Sequence, residues 1–140
     1  MSYASQADLV ERFGEDELVR LTDRSHTGTI DSAVLTVALE DATAEIDGYL
    51  AARYQLPLTS VPTVLVRVCA DIARYFLHDD NLNDVVEARY KSAVALLKQL
   101  ASGQVSLGLS DSGETPESND GAEMQSGGRV WGRDDSKGFI

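Results

Sequence analysis

Two prolines five residues apart, Pro57 and Pro62, interrupt an otherwise helical pattern, and no other feature narrows the possible folds as much. Each proline disfavours helical geometry in the residue before it, Leu56 and Val61, while Pro62 suits the first turn of a new helix. Ahead of the break, Leu35, Leu39, Ala42, Ile46 and Tyr49 recur at spacings of 4, 3, 4 and 3. With Val34, Ala38 and Leu50 alongside, that stripe is wide enough to enter a core. It predicts a helix over 32–53, a rod of roughly 33 Å. Behind the break, Leu65, Val68, Cys69, Ile72, Tyr75 and Phe76 predict a second helix over 62–78. The bend itself (Gln55 to Thr63) contains Leu56, Leu58 and Val61. Three aliphatic side chains are expensive to leave in water, so the bend is expected to pack back onto the helices it joins.

The flanking segments supply the rest of a bundle. Ser5-Gln-Ala-Asp8 resembles a capping box, and a short helix to Phe13 presents Leu9, Val10 and Phe13 before Gly14 ends it. A second short turn, Glu15 to Leu21, offers Leu18, Val19 and Leu21, and Thr22 to Thr29 reads as a polar loop. Asp31 is placed to cap the rod. Glu40, Asp41, Glu45 and Asp47 fall off its apolar stripe and are expected to face solvent or a neighbouring subunit. After His78, Asn83 or Asp84 caps a last helix that carries Val86, Ala93, Leu97 and Leu100 to a stop at Gly103. The expected fold is all-α: a small helical bundle of about four main segments, one of them long.

Beyond that stop the composition changes, dividing the chain into a helical domain over 1–104 and an arm over 105–140. Val105, Leu107 and Leu109 alternate with small residues in the pattern of a short strand. Residues 110–128 hold five acids and no base, too little apolar surface to offset the entropy of ordering, and are expected to be disordered alone. Val130, Trp131, Arg133 and Phe139 then restore apolar and basic character. The pattern is that of a tethered docking arm, closing either on a partner or on its own bundle.

Charge and cysteine content exclude several functions. The net charge is −11, divided as −7 over residues 1–103 and −4 over 104–140. Such a chain repels nucleic acid and anionic membranes, which argues against a tight DNA or RNA reader but not against a surface past which DNA slides. Cys69 is the one cysteine; on the apolar stripe of its helix it reads as a buried, inert thiol, with no intrachain disulfide. Met1 to Phe13 contains no basic region followed by an apolar run, and no apolar run approaches the ~20 residues of a bilayer span. A soluble product made in the cytoplasm is expected.

Candidate chemistry is sparse. His78-Asp79 invites comparison with metal-dependent phosphohydrolases, but the other histidine, His26, lies in the polar loop, and a helix-ending histidine is the simpler reading. Asp79-Asp80-Asn81 lacks the glycine and terminal glutamate of a calcium loop. There is no phosphate-binding glycine loop, and no serine or cysteine nucleophile has a histidine partner in view. The expectation is no catalytic residue, no cofactor and no metal. Arg53-Tyr54 and Asp71 with Arg74-Tyr75 flank the bend. They read first as braces between the two helices, with Asp71 and Arg74 placed to pair, and secondly as anchors between subunits.

Tyr3-Ala4, Asp8-Leu9, Arg12-Phe13, Ile46-Asp47-Gly48-Tyr49-Leu50, Arg53-Tyr54, Leu56-Pro57-Leu58, Val61-Pro62, Leu65 and Asp71-Ile72-Ala73-Arg74-Tyr75 together resemble the small head–tail connector (adaptor) proteins of Mu-like bacteriophages. The end of the chain, Trp131-Gly132-Arg133-Asp134-Asp135 with Lys137-Gly138-Phe139, resembles theirs as well, whereas the acidic linker hardly does. The resemblance implies a helical subunit of the virion, assembled in the host cytoplasm into a twelvefold ring under the portal protein. It also implies a DNA channel that the packaged genome crosses without specific binding, a surface for a neck or tail-completion protein, no membrane and no cofactor. The competing class is a stand-alone acidic helical binding module, such as an inhibitor that mimics DNA.

Overall fold

A computed structural model of the chain describes residues 2–78 and 83–108; Val130, Trp131, Arg133, Phe139 and the rest of the arm beyond Gly108 lie outside them. Among the described residues the chain forms five helices and no strand: α1 (Gln6–Phe13), α2 (Glu15–Thr22), α3 (Ser32–Leu50), α4 (Thr63–Leu77) and α5 (Asp84–Ser102). The fold is all-α, as the periodicity requires.

Local chemistry sets the helix ends. The Ser5 hydroxyl accepts the Asp8 N–H at 3.2 Å while the Asp8 carboxylate accepts the Ser5 N–H at 2.8 Å, so aspartate completes the capping box as glutamate would. Gly14, at φ 91°, both ends α1 and opens α2, a backbone conformation that a Cβ would strain. Asp31 caps α3 by accepting from Ala33 and Val34 N–H, and Asn83, rather than Asp84, caps α5 by accepting from Val86 N–H at 2.9 Å. Gly103 closes α5 in the left-handed conformation at φ 88°.

α3, α4 and α5 pack on one another in a three-helix core, and α1 with α2 covers one side of it. Leu35, Ala42, Ile46 and Leu50 of α3 meet Leu65, Val68, Cys69 and Ile72 of α4 and Ala93, Leu97 and Leu100 of α5, all within a single buried cluster. The bend packs back as its composition demands: Leu58 is buried, and Leu56 and Val61 lean on the cluster. The Leu56–Pro57 peptide is cis.

Four sequence expectations change. α3 ends at Leu50 instead of 53, because Ala51–Tyr54 close in a turn in which Arg53 and Tyr54 N–H both donate to the Leu50 carbonyl, carrying the Tyr54 ring into the core. α5 is as long as α3, 19 residues each, so the bundle has two long helices. Thr22, assigned to a loop, is the last residue of α2 and fully buried; its hydroxyl donates to the Leu18 carbonyl and accepts the Asp31 N–H. Both hydrogen-bonding functions are satisfied, which removes the cost of burying it. Finally, 105–108 is not a strand. Among the described residues no second strand lies beside it, and the Leu107 N–H instead donates to the Tyr54 hydroxyl at 3.0 Å. Leu109, the end of the expected strand, lies outside the described residues.

Candidate functional site

Three regions of the surface combine charge, aromatic side chains and shape. The first is the joint where the chain's start meets the bend. The Tyr3 N–H donates to Thr43 Oγ1 at 3.2 Å, and the Tyr3 hydroxyl makes a short hydrogen bond to the Asp47 carboxylate. Burial, followed by that carboxylate, pushes the Tyr3 phenol above its ordinary pKa. Tyr3, Asp47, Pro57, Leu58 and Val61 surround a cavity of about 50 Å³. Residues from three distant stretches of sequence thus converge on one joint. Asp47, expected to face solvent or a neighbour, is held by the chain's own N-terminal segment.

The second region is the set of residues flanking the bend. Arg74 turns away from Asp71 toward α1 and α2: its Nε and Nη2 meet the two Glu17 carboxylate oxygens at 2.6 and 3.0 Å, and its guanidinium lies 4.4 Å from the centre of the Phe13 ring. Asp71 instead faces Arg67 at 3.6 Å and Arg89 of α5 at 3.9 Å. Burial pushes the Asp71 carboxyl above the usual carboxylate range, with Arg89 and then Arg67 pulling the other way. The expected Asp71–Arg74 pair is therefore replaced by Arg74–Glu17 and Asp71–Arg89 across helices, partners that spacing along one helix does not reveal, and by Asp71–Arg67 four residues apart on α4 itself. Tyr75 stacks flat on Tyr90 of α5, with centroids 3.9 Å apart and planes 8° from parallel. Arg53 and Tyr54 sit at the C-terminal end of α5, where Gly103 lies against the Arg53 side chain. Arg53 Nη1 is buried and finds no hydrogen-bond acceptor among the described residues.

The third region, a groove between α3 and α5, left no trace in the sequence reading. It holds about 320 Å³ and is lined by Glu45, Tyr49, Tyr90, Lys91, Val94, Ala95 and Lys98. The Tyr90 hydroxyl donates to Glu45 at 3.2 Å, and burial, then the Glu45 carboxylate, pushes that phenol up to about 12. The signal that could have located it is that Lys91 and Lys98 lie seven residues apart on one helix, hence on one side of it.

The remaining candidates are structural in setting. His78 ends α4, its Nδ1 2.9 Å from the Arg74 carbonyl, and His26 lies in the exposed loop after α2 at φ 60°. Asp79, Asp80 and Asn81 lie outside the described residues, among which no group of three or more His, Cys, Asp or Glu side chains could hold a metal. Cys69 is buried, 3.8 Å from Thr43 Oγ1, and burial pushes its thiol up. No helix among the described residues is long and apolar enough to cross a membrane.

The fold and these regions define a class: a small all-helical protein whose polar and aromatic side chains build joints between segments. Comparison with known proteins places it further. The family described as "Bacteriophage Mu, Gp36" matches residues 3–126, and the chain belongs to that family of Mu-like phage proteins. It is 46% identical over 138 residues to "Mu-like prophage FluMu protein gp36" of Haemophilus influenzae, covering 99% of this chain and 98% of that protein. It is 39% identical over 142 residues to "Gene product J" of Escherichia phage Mu, covering 100% of each. The family match runs through most of the acidic stretch, which the motif resemblance hardly covered, and ends before the Trp131–Phe139 motif.

Proposed function

We propose that the protein is a head–tail connector, a structural subunit that assembles as a twelvefold ring beneath the portal protein. In the virion the ring extends the DNA channel and offers the attachment surface for a neck or tail-completion protein. The observation that carries this reading is the joint at the bend. Tyr3, Asp47, Pro57, Leu58 and Val61, drawn from the stretches that resemble connector sequences, meet around one small cavity in a chain of a Mu phage family. Such a joint holds α4 at a set angle to α3. A ring is built by repeating one heterologous contact about an axis, so a rigid subunit angle is what closure requires.

Two further features support it. The chain's net charge of −11 suits a wall that DNA passes without sticking, since like charge repels phosphates. The outward face of α3 carries Ala33, Val37, Ala44 and Gly48 around the charged Glu40, all exposed, a surface open to a neighbouring subunit. In this reading the protein has no catalytic residue and needs no cofactor, and residues 105–140 form the arm that clasps a neighbour or the portal.

The experiment is light scattering after chromatography of the full chain, alone and mixed with the portal protein. A connector joins the portal as a particle carrying about a dozen copies. A chain that stays a monomer or dimer in both samples refutes the proposal and favours the stand-alone acidic module. Deleting residues 110–140 should leave a folded helical domain that no longer joins portal-bearing heads; normal head completion by the truncated protein would remove the arm from the mechanism.

A further inference from the structure

The α3–α5 groove is unusual for this chain. On a protein of net charge −11, its rim carries Lys91 and Lys98, the only lysines among the described residues. Lys91 reaches Glu87 at 3.1 Å, an exposed pair of little energetic weight, and Lys98 makes no ion pair with a described residue. Seven residues apart on a helix, the two ammonium groups stand roughly 10 Å from each other. Between them Val94 and Ala95 form an apolar floor, with Tyr49 and Tyr90 beside it. A volume of about 320 Å³ is at the lower end of what encloses a ligand, and enough for one large aromatic side chain. The groove therefore suits an extended segment with one aromatic anchor and carboxylates a few residues away.

One stretch of this chain beyond Gly108 has that composition, Val130-Trp131-Gly132-Arg133-Asp134-Asp135. Residues 110–128 have acids but no aromatic, and Phe139 follows a lysine, Lys137, with no acid after it. In an extended segment Trp131 and Asp134 stand roughly 10 Å apart, which carries Asp134 from the Val94–Ala95 floor to the reach of a lysine side chain at the end of the groove. Arg133, between them, complements Glu45 on the groove wall. The chain's point of departure agrees. The Leu107 N–H is bonded to the Tyr54 hydroxyl at the C-terminal end of α5, the same end at which Lys98 stands. The 22 residues from Gly108 to Val130 span roughly 25 Å as a coil, sufficient to return along α5.

We propose that the α3–α5 groove is the docking site for residues Val130–Asp135 of the same chain, with the segment running from the Lys98 end toward the Lys91 end, Trp131 over Val94 and Ala95 and the Asp134–Asp135 carboxylates at Lys91. Tethering gives the segment a high effective concentration at its own groove, which favours this contact in the free chain. The contact belongs to the isolated chain and stands whether or not the protein builds a ring.

Trp131 is the only tryptophan, so its fluorescence reports this contact alone. In the full chain the emission should be blue-shifted and shielded from acrylamide, independent of protein concentration. The double charge reversal Lys91→Glu with Lys98→Glu should return it to the emission of a solvent-exposed indole, raising the quenching constant several-fold while far-UV circular dichroism stays unchanged. Adding Asp134→Lys and Asp135→Lys to that variant should restore the shielding. An exposed emission in the unmodified chain, or shielding that survives the lysine reversal, overturns the proposal. Shielding that develops only as concentration rises assigns the segment to a second copy and overturns the intrachain contact.

Discussion

The Arg74–Glu17 pair offers the strongest test of how the helical cover is held to the core. Its two charge-assisted bonds, at 2.6 and 3.0 Å, join α4 to α2, and the side chains are only 15% and 16% exposed. An exposed pair couples by about 0.2–1 kcal/mol, whereas breaking a buried pair costs about 3–5 kcal/mol because one charge is left without a partner. The bidentate geometry and partial burial place this pair between those limits, at a coupling of about 2 kcal/mol. Arg74→Ala also removes the guanidinium from the Phe13 face, worth a further ~1 kcal/mol, so the single substitution should cost about 3 kcal/mol. Arg74→Lys keeps the charge but loses both the fork and the stack, and should cost about half as much. The assay is a double-mutant cycle of Arg74→Ala and Glu17→Ala read by urea unfolding, with the midpoint falling and the slope unchanged. Amide exchange across Gln6–Thr22 should accelerate in step, since the pair fastens that segment. A coupling below about 0.5 kcal/mol, the value of a solvated surface pair, would refute the reasoning.

Further outcomes follow from the same geometry. Asp71 has a folded-state pKa raised above the ordinary carboxylate value by burial, so the folded chain holds that proton more tightly than the unfolded chain. Its contribution to stability therefore falls as pH rises from the ordinary carboxylate pKa through the raised one. Asp71→Asn should be at least as stable as the parent at pH 7, with the difference vanishing toward pH 4; a clear loss at pH 7 would show that Arg67 and Arg89 outweigh desolvation. Gly103→Ala forces a Cβ into a left-handed conformation 3.4 Å from Arg53 Nη1 and should lower stability by about 1 kcal/mol in a thermal melt. Tyr54→Phe deletes the acceptor for the Leu107 N–H, and should cost about 1 kcal/mol and speed exchange of that amide. Cys69, buried with its thiol pushed up, should react with thiol reagents only at the rate of global unfolding.

Much of the fold was legible in the sequence because the signals are local. Helix periodicity, the capping residues Ser5 and Asp31, the glycines Gly14 and Gly103 and the two-proline bend each act within a few residues of chain. The apolar bend residues declared their own burial, and the family signature lay in the same stretches. What the sequence could not provide was the identity of partners across helices. Asp71 and Arg74 stand three apart on one helix, yet Arg74 turns to Glu17 on α2, and Asp71 is shared between Arg67 on its own helix and Arg89 on α5. Thr22 has the local pattern of a loop residue, yet the Leu18 carbonyl and the Asp31 N–H satisfy its hydroxyl and allow it to be buried. The α3–α5 groove needed the packing of two helices more than forty residues apart to bring Glu45 against Tyr90. Local propensity acts through the backbone over one or two turns, so the sequence alone determined the helices and the ends that are capped locally. Ion pairs, stacked rings and grooves act through space, and only the tertiary structure decided which side chains share them.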